Sequence, residues 1–82
     1  MNYFDCLPAE LIDLIVLKMN NVAAILNFVD FISDHPYKIK ENNILFKKLA
    51  QLHYPISYRD FKNQEMYPWY LMFEALHSFN DF

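Results

Sequence analysis

Apolar residues recur along this chain at helical intervals, and each run stops at a proline or a polar cluster. In "FDCLPAELIDLIVLKM" a proline suits the first helical position, where its missing N–H would have had no partner. Glu10 follows near the positive end of the helix dipole, placed to reach back to the cap backbone. The pattern predicts a first helix over residues 8–19, with Asn20 and Asn21 making the turn. Its second half is unusual. Leu14, Ile15, Val16 and Leu17 are consecutive, so this half is apolar all round, and one face is left over once another has packed inward.

Val22, Ile25, Leu26, Val29 and Ile32 keep the i, i+3, i+4, i+7 rhythm, flanked by Phe28 and Phe31, with Asn27, Asp30 and Asp34 opposite. They predict a second helix over residues 22–34, ended by His35 and Pro36, because the residue before a proline is pushed out of helical geometry. After a loop over residues 37–42, Asn43 is placed to cap a third helix over 44–53, with Leu45, Phe46, Leu49 and Leu52 inward and Pro55 closing it. Ser57 and Asp60 have capping-box spacing and predict a short fourth helix through Glu65. Pro68 opens a last helix whose Trp69, Met72, Phe73, Leu76 and Phe79 form the apolar stripe, with Trp69 and Phe73 docking on the preceding helices. No segment alternates as a strand would, so the fold is expected to be all-α, a small helical bundle.

A chain of 82 residues is expected to be a single domain over 1–82, too small for a large core, so a partner that adds buried area would help it. Aromatics make up 18% of it, with eight Phe and six Tyr, and such side chains carry contact area both in cores and at interfaces. A net charge of -3 argues against a nucleic-acid partner, which needs a basic face. The one basic cluster, Lys38, Lys40, Lys47 and Lys48, is interrupted by Glu41 and reads as a solvated rim. No apolar run approaches a membrane span. Cys6 is the only cysteine, which fits a reducing compartment, cytoplasmic or nuclear.

No constellation for catalysis is visible. Glycine is absent, which removes the usual phosphate-cradling loop, and His35, His53 and His77 lack metal-ligand spacing with each other or with Cys6. Cys6 reads as a small, partly buried side chain, and Glu10 with Asp13 as solvated charges on one helix face. The chain is expected not to be an enzyme, and to need no cofactor or metal.

Three segments in order resemble the F-box: "LPAELIDLIVLKM" is similar to its opening, "VAAILNFVDFI" to its second helix, and "NNILFKKLAQLHYP" to its close, with Leu45-Phe46 where Leu-Trp is usual. The resemblance covers residues 4–55 and leaves 56–82 as a C-terminal helical extension. Departures are the absence of the usual Trp near Phe31 to Asp34 and a longer loop from His35 to Lys40. The resemblance implies an orthogonal three-helix bundle that binds a Skp-type adaptor of cullin-RING ubiquitin ligases, as adaptor or competitor. By motif position Leu7, Pro8, Leu11 and Ile15 would enter that interface, with Ile12 and Leu14 beside them. Burial in the chain's own core is the competing assignment for Leu11 and Ile15.

Phe, Tyr, Met, Ile, Asn and Lys supply nearly half of the chain, and their codons are rich in A and T. Short F-box-like chains of large DNA viruses look like this. The alternative is a small helical structural protein of a virion or other assembly, with no ubiquitin role, which would meet itself or other viral proteins through C-terminal aromatics. Trp69, Tyr70, Phe79 and Phe82 form that second candidate surface.

Overall fold

A computed structural model of the chain describes residues 7–80, and all regular structure among them is helical. Five α-helices follow in order: α1 (Ala9–Lys18), α2 (Val22–Phe31), α3 (Asn43–His53), α4 (Pro55–Phe61) and α5 (Trp69–Asn80). A short 3₁₀ turn covers Ile39–Glu41. The expected all-α class is the observed one. The chain divides into two compact units between Ile39 and Lys40.

In the first unit, Pro8 stands just outside α1 in extended geometry (φ -63°, ψ 153°), so the helix begins one residue later than predicted. Its carbonyl accepts the N–H groups of Leu11 (3.1 Å) and Ile12 (3.2 Å), and no side chain caps the helix. Met19 ends α1 by turning extended while its N–H donates to the Val16 carbonyl. Asn21 then starts α2 by accepting the Ala24 N–H on Oδ1 at 3.0 Å, so the polar pair does more than turn the chain.

Helix α2 stops at Phe31, short of the predicted Asp34. From there the backbone tightens, with Ser33 N–H donating to the Asp30 carbonyl and His35 N–H to the Ile32 carbonyl, a three-residue step that suits a chain approaching Pro36. Ile25, Val29 and Ile32 are buried as their spacing requires. His35 is buried too; its Nδ1 accepts the Tyr37 N–H at 2.9 Å, while Nε2 finds no hydrogen-bond partner among the described residues. The Tyr37 hydroxyl donates to Asp13 Oδ1 on α1 at 2.7 Å, which ties the segment after α2 back to the first helix.

In the second unit the cap of α3 is Asn42, not Asn43: Asn42 Oδ1 accepts the Leu45 N–H at 3.0 Å, and its carbonyl accepts from Phe46. Asn43 serves a different helix, accepting the Trp69 N–H at the start of α5 at 3.0 Å. Tyr54 joins α3 to α4 without a loop, since its N–H donates to Ala50 and its carbonyl accepts from Tyr58. Pro55 is therefore the first residue of α4 as well as the stop for α3. The expected Ser57 capping box does not form, because Ser57 and Asp60 both lie inside α4, and that helix ends at Phe61 rather than Glu65. Gln64 shapes the next turn through both ends of its amide, donating to the Tyr67 carbonyl and accepting the Tyr67 N–H, each at 3.1 Å.

Helix α5 docks through aromatic side chains, as its stripe predicted. Phe73 is fully buried beside the rings of Phe46 (5.9 Å between centroids), Tyr54 (5.9 Å) and His53 (6.2 Å). Phe46 meets Tyr70 edge to face at 5.2 Å, and Trp69 leans on Tyr58. Burying such a ring contributes about 1.5–3 kcal/mol, and each well-placed ring pair about 0.5–1.5 more, so this cluster is the main cohesion of the unit. Lys40 covers the Tyr70 ring, its Nζ 5.0 Å from the centroid. No described residue has a positive φ: the C-caps of α1 to α4 all keep negative φ, so the missing glycine is never needed there for a left-handed cap.

Candidate partner-binding surface

Successive residues of a helix are turned by about 100° from one another, so the order of side chains on α1 decides which are wet. Ile12 and Val16, one turn apart, are fully buried. Leu11, Leu14 and Ile15 lie on the next face round and are 45%, 49% and 37% exposed. Pro8 is exposed, Leu7 half-buried, and Lys18 closes the stripe in the last turn. The side chains at 7, 11, 14, 15 and 18 keep i, i+4, i+7, i+8, i+11 spacing, and the first four are apolar.

Two contacts of the first unit set the rotation of this helix. Asp13 is held by the Tyr37 hydroxyl, and the burial of Ile12 and Val16 fixes the adjoining side. Leu11, Leu14 and Ile15 are then left facing water. Chemically the surface offers aliphatic area with no buried polar group to satisfy, which suits a complementary apolar groove. The exposed Glu10 and Lys18 are rim charges that would set orientation more than affinity.

Of the residues singled out by sequence, Pro8, Leu11 and Ile15 are exposed, and Leu7 is half-buried beside them. Leu14 joins this stripe, while Ile12 belongs to the core. The second candidate surface needs correction. Trp69 and Tyr70 are only 5% and 9% exposed, because α5 turns both into its contacts with Tyr58 and Phe46. Phe79 is exposed, whereas Phe82, like Cys6, lies outside the described residues. The predicted apolar face of α3 also loses Leu52, which is exposed, and gains Ala50, which is buried.

Among the described residues no three His, Cys, Asp or Glu side chains gather as a metal cluster, and no helix is long and apolar enough to cross a membrane. Burial lowers the pKa of His53 below the ordinary 6.5 by penalising the charged ring.

The stretch resembling the F-box spans the division of the chain, with α1 and α2 in the first unit and α3 in the second. Compared with known proteins, the chain matches no family model, no curated sequence and no solved structure.

Proposed function

We propose that the chain is an F-box-like interaction module that binds a Skp-type adaptor of a cullin-RING ubiquitin ligase through the exposed face of α1. The observation that carries this reading is the double-sided apolarity of that helix. Ile12 and Val16 satisfy the chain's own core, yet Leu11, Leu14 and Ile15 stay exposed beside them. Keeping three adjacent aliphatics in water on a short helix is uneconomical for a protein that acts alone, and ordinary for one whose partner covers them. The order of the three F-box-like segments supports this kind of partner. The module acts there as an adaptor or as a competitor for the adaptor's binding site.

The test is co-purification of the chain with a Skp-type adaptor, beside a Leu11→Asp, Leu14→Asp variant whose helicity is checked by circular dichroism. Binding by the parent and loss in the folded variant support the proposal. An adaptor that binds only the folded chain also raises its melting temperature in proportion to the logarithm of adaptor concentration. A well-folded parent that ignores the adaptor sinks it. The exposed Phe79 then favours the second reading, a helical component of a larger assembly, which self-associates instead.

A further inference from the structure

A second surface, on α3 and α4 of the other unit, has a different chemistry from the α1 stripe. Lys48, Gln51, Leu52 and Pro55 line a shallow, open cleft. Ile44 lies one turn before Lys48 on the same face of α3, and Ile56 follows Pro55. Ile44, Leu52 and Ile56 are 62% to 75% exposed, which adds apolar side chains on the same two helices.

Charge distinguishes this face from the rest of the chain. Between the exposed Glu41 and Asp60, which flank it, the span from Asn42 to Arg59 holds no Asp or Glu, although the chain has ten of them. The same span carries Lys47, Lys48 and Arg59, and Arg59 lies one turn beyond Pro55 on α4. Burial lowers the His53 pKa, which disfavours a positive charge on that ring. The sequence pattern reads these lysines as a solvated rim. In the structure Lys40 is turned onto the Tyr70 ring, whereas Lys48 is exposed at the wall of an apolar cleft.

We propose that the α3–α4 face docks an acidic amphipathic helix of a partner protein. Its apolar side chains enter the cleft at Leu52 and Pro55, and its carboxylates meet Lys48, Lys47 and Arg59. A net-negative chain that concentrates cations around its exposed aliphatics selects by charge complementarity: a basic helix is repelled at the rim, and an acidic one is steered in. The surface is independent of the α1 stripe, so the two readings stand or fall separately.

The probe is a fluorescein-labelled synthetic helix with leucines on one face and glutamates on the other, titrated into the full chain and followed by anisotropy. The control has lysine in place of every glutamate. The acidic helix binds and the basic one does not, and raising the salt weakens the complex. Lys48→Glu and, separately, Leu52→Asp each weaken binding about tenfold or more, while Leu11→Asp on α1 leaves it unchanged. Both altered positions are exposed, and circular dichroism verifies that the variants fold. Amide shift changes in a ¹⁵N-labelled chain map to α3 and α4. Equal binding of the basic helix, parent-like binding by Lys48→Glu, or shift changes confined to α1 would overturn the proposal. So would failure to bind the acidic helix together with Lys48-dependent binding to vesicles of anionic phospholipid, which assigns the face to a lipid surface.

Discussion

Asn43, the first residue of α3, accepts the backbone N–H of Trp69, the first residue of α5, on its side-chain oxygen. The first N–H groups of a helix have no partner inside it and are ordinarily satisfied by a neighbour in sequence. Here the acceptor comes from another helix, so one bond both caps α5 and sets where it begins relative to α3.

Asn43→Ala leaves that N–H without its acceptor, and the expected cost is about 1 kcal/mol. Asn43→Asp retains the oxygen and places a negative charge at the positive end of α5, so it is expected to be neutral or slightly stabilising. Urea unfolding of the two variants checks this. Equal destabilisation by both would show that the bond is incidental.

The two apolar sides of α1 predict opposite responses to truncation. Ile12→Ala removes a fully buried side chain and is expected to cost about 2–5 kcal/mol. Leu11→Ala, one position earlier, removes a side chain that is already half in water and is expected to cost less than about 1 kcal/mol. Chemical denaturation of both variants tests the assignment of core and surface, and the reverse order would refute it.

The hydroxyl of Tyr37 and the carboxylate of Asp13 join segments far apart in sequence, at 2.7 Å. Tyr37→Phe deletes the donor and keeps the ring; the expected loss is about 1–2 kcal/mol, the range of hydrogen bonds to a charged acceptor. In a double-mutant cycle with Asp13→Ala, the two losses should sum to more than the double variant shows. Strict additivity would mean that the two groups do not stabilise each other.

The buried edge of His53 makes stability depend on pH. Its folded-state pKa is lowered by burial, so the unfolded chain binds the proton more readily. Stability from this group is whole above the ordinary value of 6.5 and declines as the pH falls from there toward the lower folded value. Melting temperatures taken on either side of that window should fall on acidification in the parent, and fall less in His53→Gln. An identical decline in both assigns the effect to other groups.

How much of this was legible in the sequence differs between helix interiors and helix ends. Most inward residues of α2 and α5 follow from spacing, because periodicity is a property of many positions and survives an error at one; Phe79, which the stripe put inward, is exposed, and Tyr70, outside the stripe, is buried. Ends rest on single side chains. Asn42 and Asn43 are chemically identical neighbours, and only the position of α5 decides which caps α3 and which reaches Trp69. Pro55 likewise carries two meanings, stop and start, and only the bonds of Tyr54 show that both apply. On α1 the run of aliphatics announced a second face, but its rotation is set by Tyr37, well along the chain, and that left Ile12, Leu14 and Ile15 hard to sort. Tyr70 was misplaced for a related reason, and Trp69, which the α5 stripe put inward, was also offered to that second surface. Aromatic residues serve cores and interfaces alike, and only packing against Phe46 and Tyr58 separates the two uses.

The absence of left-handed backbone reaches beyond conformation. A turn that demands positive φ ties one residue type, and so one set of codons, to one place in a gene. None of the described turns makes that demand. A gene under mutational pressure toward A and T, which erodes the GG-initiated glycine codons, would therefore meet no resistance from the described turns, and the glycine-free composition costs none of them a rebuilt backbone.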